Sequence, residues 1–336
     1  MSLLWLLITL LRFAADAEAA KAVISTDECG DANQRWNWDP TALHPCNIKR
    51  ITQTELIRRF GELGLPNLYP YPLVIVPDGK IRNEDFANLT TQEHLPLNFS
   101  PDLNVTLTGS DSLSSHRRTI PLTQYLHEII NNNGGQTLPD QLGNETWYLF
   151  GETFSGEWAT FLRQYNLPSC HSCTELHYQQ SLIALSFGIG NLGSGVQWHL
   201  HGPGFSETIH GRKHWVLYPP ENRPSYNIDY ASRHWMEYTY PSLENWTTAD
   251  FERENQNHEQ YLKQWRRRSL DSDSSHRKQA VSYSVYERKR PSKKKPWECT
   301  INAGEMLYFP DQWHHATINL SPYTVFVSSF TSEHDD

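Results

Sequence analysis

The chain has 336 residues, room for one large domain or two ordinary ones with a real buried core. Its 12 tryptophans and 16 tyrosines argue against wholesale disorder and suit a packed sheet protein. A net charge of −9 gives nucleic acid no electrostatic reason to bind, so no nucleic-acid partner is expected.

The first residues, "MSLLWLLITLLRFAADAEAA", carry an apolar run from Leu3 to Leu11 followed by small residues. The run is too short for a bilayer, which needs roughly 20 apolar residues. With Ala15-Asp16-Ala17 and Ala17-Glu18-Ala19 as cleavage sequences, residues 1–19 read as a signal peptide that lacks a basic start. No later stretch is long and apolar enough for a membrane span. Residues 20–47 are polar and turn-rich, an irregular leader.

From residue 48 onward the elements become legible. Thr52-Gln-Thr-Glu55 resembles a capping box, and Leu56, Ile57, Phe60 and Leu63 follow at helical spacing. "YPLVIVPDG", Tyr71 to Gly79, is a short apolar run between turn residues, hence a strand. The Asn-, Thr- and Ser-rich stretch 80–118 reads as loops with short strands. "LTQYLHEII" is helical until "NNNGG" stops it. "TWYLF" is a strand, and "SGEWATFLRQYN" an amphipathic helix ended by Leu167-Pro168.

From about Ser181 the texture changes to short strands separated by turns: "SLIALSFGIG", "GVQWHLHG", "FSETIHG", "KHWVLYPP", "ECTINAGEMLYFP", "HHATINL" and "YTVFVSSF". That spacing indicates a sandwich or barrel. A Ser-rich basic stretch at about 247–296, with "RRR" at 266–268, "RKR" at 288–290 and "KKK" at 293–295, reads as a solvated insertion, disordered or loosely helical. A patch for an acidic partner or a membrane surface is the functional alternative.

Six Asn-x-Ser/Thr sequons support the secretory route: Asn88, Asn98, Asn104, Asn144, Asn245 and Asn319. Asn88, Asn104, Asn144 and Asn245 are the better glycosylation candidates, because Pro101 and Pro322 follow the other two sequons and Asn319 sits in a core-like strand. Five cysteines, Cys29, Cys46, Cys170, Cys173 and Cys299, allow two disulfides and a spare thiol in an oxidising lumen. Cys170-His-Ser-Cys173 has redox spacing but no βαβ surroundings, so it reads as a structural or incidental pair.

The chemistry concentrates in "VQWHLHGPGFSETIHGRKHWVLYPP". His199 and His201 lie two apart in a strand, which turns both side chains to one face. One member of the His314-His315 pair, opening another strand, can join them. On these residues alone, a three-histidine metal site and ordinary satisfied histidines both stand.

The order of the parts is more specific than any one of them. It runs His199-Leu200-His201, then Gly211-Arg212-Lys213 before an apolar strand and Pro-Pro, then Trp313-His314-His315 with Asn319-Leu320. This resembles the JmjC domain family, and most closely an endoplasmic-reticulum luminal member. The resemblance implies a mainly β fold, a double-stranded β-helix (a cupin-like jelly roll) with flanking helices. It makes 48–336 one domain, with a helical and strand part at 48–180 and the barrel core at 181–336. In active JmjC enzymes two histidines and one carboxylate hold Fe(II), with positions left for 2-oxoglutarate and oxygen. By position, His199 and His315 are metal ligands, His314 points out of the barrel, and Lys213 pairs with the far carboxylate of 2-oxoglutarate.

Two positions depart from the family. His201 stands where the carboxylate belongs, so three neutral imidazoles leave a dication its full charge and suit zinc at least as well as iron. Glu207 is a conceivable substitute donor. Val196 stands where many relatives have a hydroxyl that helps hold the co-substrate. Two readings follow. One is a non-catalytic binding or regulatory module with a protein partner, its site zinc-loaded or metal-free. The other is an Fe(II)- and 2-oxoglutarate-dependent oxygenase hydroxylating a protein side chain. The final "TSEHDD" lacks the Leu of the usual retrieval signal, so residence in the endoplasmic reticulum lumen rests on the resemblance.

Overall fold

The computed structural model describes residues 36–39, 41–60, 71–112, 116–131, 147–151, 153, 155–167, 183–250, 252–253, 256 and 291–331. The signal-peptide reading, Cys29, the Cys170–Cys173 pair, Asn144 and most of the basic insertion lie outside those residues. In chain order the main elements are β1 (Arg50–Thr52), α1 (Gln53–Phe60), β2 (Leu73–Val76), α2 (Glu84–Leu89), β3 (Asn104–Gly109) and β4 (Arg117–Pro121). Next come α3 (Leu122–Gln124), which widens into a π turn over Tyr125–Asn131, then β5 (Trp147–Leu149), α4 (Gly156–Phe161) and β6 (Ile183–Gly190). The remainder is β7 (Gly204–His210), β8 (Arg212–Tyr218), α5 (Ser232–Tyr238), β9 (Trp297–Asn302), β10 (Met306–Phe309), β11 (His314–Asn319) and β12 (Thr324–Thr331).

Among the described residues the strands form a nine-stranded sheet, ordered β1-β2-β10-β7-β12-β6-β5-β3-β4, and a three-stranded sheet, β11-β8-β9. All pairings are antiparallel except β1 with β2. This is the mainly β jelly-roll architecture expected, with helices packed on the large sheet. Strand alternation assigns the faces. In β8, Trp215 and Leu217 pack with Cys299, Ile301 and Phe309 between the sheets, whereas Val216 and Tyr218 pack outside with Trp198, Trp235 and Met236.

Most elements begin where the local chemistry puts them. The Thr52 hydroxyl accepts the Glu55 amide at 3.1 Å and caps α1. The Glu55 carboxylate accepts from Arg58 on the next turn. Strand β1 and helix α5 are absent from the sequence reading, and two further departures are instructive. Six-residue α2 has one buried side chain, Phe86, wedged against Phe161, Tyr165 and Phe187, too little for a periodic signal. The segment "GVQWHLHG", expected as a regular strand, pairs in regular geometry only at His199 opposite His315. It is nevertheless laid along β11, with amide–carbonyl bonds from Thr317 to Val196 and from Asn319 to Ser194 at 2.9 and 2.8 Å. Gly195 permits this close approach: a Cβ there would meet the Thr317 carbonyl oxygen at 2.0 Å.

Residues 36–39 and 41–48 form a strap that runs from the outer face of the small sheet, where Trp36 packs, to its β9 edge, where Ile48 joins the core between the sheets. The Asn47 amide donates to Glu298 O, and Cys46 is disulfide-bonded to Cys299. Within the strap Trp36 stacks 4.6 Å from His44, and its ring lies 4.7 Å from His214 of β8. Tyr240 donates to both Glu298 oxygens at 2.8 and 2.9 Å, and His214 Nε2 is 3.3 Å from Glu298 Oε2. Burial pushes Glu298 up to about 8 and His214 down to about 3. Both shifts favour the neutral forms, so their contact has the character of a hydrogen bond more than of an ion pair.

The sign of the resulting pH dependence is fixed. Between 4.5, its ordinary value, and about 8, Glu298 keeps a proton in the fold that the unfolded chain has lost, so its contribution falls as pH rises. We predict that Glu298→Gln gains on wild type by at most about 1.4 kcal/mol per pH unit across that window, with no change in the gap above it. Urea unfolding of both proteins at pH 5 and pH 8 checks this, since the titrations of groups not coupled to Glu298 cancel in the difference.

Candidate metal centre

His199, His201 and His315 converge between the two sheets. Their candidate ligand atoms all lie within 4.8 Å of one another, and the ring centroids are 4.2 to 5.4 Å apart. Each ring is anchored the same way. Nδ1 of His199, His201 and His315 faces the carbonyl oxygens of Gln197, Gly202 and Trp313 at 2.7, 2.8 and 2.8 Å. A carbonyl only accepts, so each Nδ1 carries the hydrogen and each Nε2 keeps its lone pair, the tautomer a metal ligand needs. Burial holds His199 down near 3 and His315 well below the usual histidine range, which favours their neutral forms. Zinc bonds of about 2.0–2.1 Å hold ligand nitrogens roughly 3.4 Å apart, which ring rotations of about an ångström achieve.

The backbone sets these positions. β11 supplies His315 inward and Thr317 beside it. His314 is also buried, but on the opposite side of the strand, where burial first and Arg223 second lower its pKa. The β10–β11 turn holds Gln312 at φ +57°, an uncommon value for a residue other than glycine. The Gln312 amide donates to the His201 carbonyl at 3.1 Å. That turn therefore fixes the second ligand as well as the third, a role that the residue types in "PDQWHH" do not reveal.

Glu207 is not a substitute ligand. Its carboxylate is bound by Arg82, by Asn83 Nδ2 at 2.8 Å and by the Tyr165 hydroxyl at 2.7 Å, a cross-link between β7 and the helices.

Lys213 is 1% exposed and lies in the same pocket as the histidines. Its Nζ donates to Asn319 Oδ1 at 3.4 Å and lies 3.6 Å from the centre of the Phe326 ring. Among the described residues no carboxylate pairs with it, and burial lowers its pKa to about 7. Val196, Phe150, Trp215 and Phe309 complete the apolar wall. Thr317 Oγ1 accepts the Val196 amide and Ser328 donates to Ser206. The free room is about 20 Å³ for the centre of a water molecule, enough for one or two waters, whereas a six-carbon ring takes about 150 Å³.

Of the expected glycan acceptors, Asn88 and Asn104 are exposed and Asn245 is half-buried. Asn319 is 1% exposed and engaged with Lys213 and Ser194.

The sequence profile of the cupin-like domain matches residues 84–336. JmjC domain-containing protein 8 of Homo sapiens is 32% identical over 288 residues, which is 85% of this chain and 83% of that protein. The chain belongs to the cupin-like JmjC family. The proteins of the same name from Mus musculus and Rattus norvegicus are also 32% identical, each with 82% of its length covered. His199, His201, His315 and Lys213 line one pocket of this cupin-like domain.

Metal binding here is testable through stability. Zinc at a thousandfold excess over its dissociation constant stabilises a one-site protein by about 4 kcal/mol. We expect a rise of that order in wild type and none in His315→Ala. A rise that survives in the variant would mean that the ion binds elsewhere.

Proposed function

We propose that the chain is a metal-holding, non-catalytic binding module of the secretory pathway, resident in the endoplasmic reticulum lumen, with a protein as its partner. The observation that carries this reading is His201 in the carboxylate position of a triad whose three Nε2 lone pairs are preset for an ion. Zinc suits three neutral nitrogen ligands. Five apolar residues, Phe150, Val196, Trp215, Phe309 and Phe326, wall the pocket, and a five-carbon dicarboxylate does not fit the room they leave. No step through 2-oxoglutarate is therefore derived.

The lumenal part of the proposal is supported by the leader sequence, by the exposed sequons and by the Cys46–Cys299 disulfide, a bond that persists in oxidising compartments. Among the described residues no helix is long and apolar enough to cross a membrane.

One observation favours the oxygenase reading. Lys213 is a buried cation with no carboxylate partner among the described residues, at the place where the family puts its co-substrate lysine. Iron held by the same histidines would supply oxygen activation, and Lys213 would orient the co-substrate carboxylate once Phe326 moved aside.

We expect protein purified from a secretory host to carry close to one equivalent of zinc by elemental analysis. Supplied with iron, ascorbate, 2-oxoglutarate and candidate lumenal proteins, it should release no succinate above a blank. Succinate that depends on His199 would reverse the reading. Endoglycosidase treatment should increase gel mobility, and Asn88→Gln with Asn104→Gln should reduce that shift.

A further inference from the structure

The disulfide that ties the strap to β9 differs at its two ends. Cys46 is an exposed residue of the strap, whereas Cys299 is 0% exposed and belongs to the core between the sheets with Ile48, Trp215 and Ile301. Exchange at a disulfide depends on which sulfur an incoming thiolate can reach and on how readily the other one leaves. Solvent gives access to Cys46, and burial closes the approach to Cys299.

The leaving side is prepared. Arg50 of β1 is oriented by its ion pair with Glu305, whose carboxylate also accepts from the amide and side chain of Asn302. Arg50 Nη1 then donates to Cys299 Sγ at 3.6 Å. A sulfur without charge is a weak acceptor, so this contact contributes little while the bridge is closed and strengthens once Cys299 becomes a thiolate. A guanidinium beside a cysteine lowers its thiol pKa, and a thiol of lower pKa leaves faster.

The strap has other holds on the domain. The Asn47 amide donates to Glu298 O at 3.0 Å, its Nδ2 donates to Pro296 O at 3.1 Å, and its Oδ1 accepts the Glu298 amide at 2.7 Å. Ile48 is buried between the sheets, and the Lys49 carbonyl accepts the Val74 amide at 2.9 Å. These contacts keep the chain beside Cys46 on β9 and β2 when the sulfurs part, so the bridge can open without unfolding.

We propose that Cys46–Cys299 is a thiol-exchange site of the folded chain: Cys46 takes up an incoming thiol, that of glutathione or of a protein dithiol, and Cys299 leaves as a thiolate held by Arg50. The incoming thiolate sulfur bonds to Cys46 Sγ as the Cys46–Cys299 bond breaks, and the electron pair of that bond stays on Cys299. The incoming sulfur is oxidised to a mixed disulfide and Cys299 is reduced. Return attack by Cys299 on Cys46 restores the bridge and expels the thiol. The site is separate from the histidine centre and does not depend on how that centre is read.

The test uses the full oxidised chain with its free thiols blocked. It is incubated under native conditions with glutathione, or with a thioredoxin-type protein whose resolving cysteine is replaced, then alkylated and mapped by peptide mass spectrometry. The adduct should form on Cys46 and the alkylating group on Cys299, at a rate proportional to thiol concentration and unchanged by urea too dilute to unfold the chain. Adducts from glutathione alone make the small thiol the source, and adducts from the protein alone make it a protein dithiol; either supports the site. Arg50→Met should slow the reaction by about threefold or more, the effect of raising the leaving thiol by about one pKa unit. Arg50→Lys should recover most of the rate, with thermal unfolding as the check that both variants fold. No adduct, an adduct on Cys299, or exchange that appears only as urea unfolds the chain overturns the site. A folded Arg50→Met variant as fast as wild type overturns the role of Arg50.

Discussion

Residues 194–201 reach the site as a strip laid along β11, held by amide–carbonyl bonds between Ser194 and Asn319, Val196 and Thr317, His199 and His315, and His201 and Gln312. Every property of the centre depends on that strip. Two of the three imidazoles ride on it, and the third projects from the strand that receives it. The rings are then clocked by carbonyls one or two residues away rather than by distant packing. Such short-range anchoring keeps the tautomers uniform even though the strip makes only one regular bridge. Small displacements of the backbone would alter all three nitrogens together.

The electrostatics of the interior follow one rule: titratable groups there are neutral or satisfied by something other than an opposite charge. His199, His315 and His214 are all held uncharged by desolvation, Glu298 keeps its proton, and Lys213 leans on an aromatic face and an amide oxygen. The exception is Glu207, whose partners Arg82, Asn83 and Tyr165 bind together elements far apart in sequence. It works as a brace for the outer layer and not as chemistry.

Much of this was readable from residue order. The barrel strands announce themselves because each is a short run with turn residues at its ends, and β7 to β12 lie where those runs lie. The triad and Lys213 were legible for a different reason, since the spacing of the motif parts preserves which strand follows which. What stayed hidden depends on contacts that no spacing encodes. Phe326 looks like any alternating core residue until its ring is seen beside the Lys213 ammonium. Gln312 looks like a loop residue until its amide meets His201. The segment "GVQWHLHG" alternates well enough to promise a strand, but it forms a single regular bridge, His199 opposite His315. Helix α2 hides because six residues with one buried ring carry almost no period.

The bond between Cys46 and Cys299 spans 253 positions, and that distance governs the order of events during synthesis. The earlier sulfur emerges with the first segment of the domain and must wait, as a thiol, until β9 has been made. In the meantime Cys170 and Cys173 come out ahead of its proper mate. Thiol exchange is open to any of them, so the newborn chain passes through an interval in which the wrong partners are nearer than the right one. Correct closure then becomes a late proofreading step, available only once β9 has joined β8 and the strap has found its bed on the small sheet.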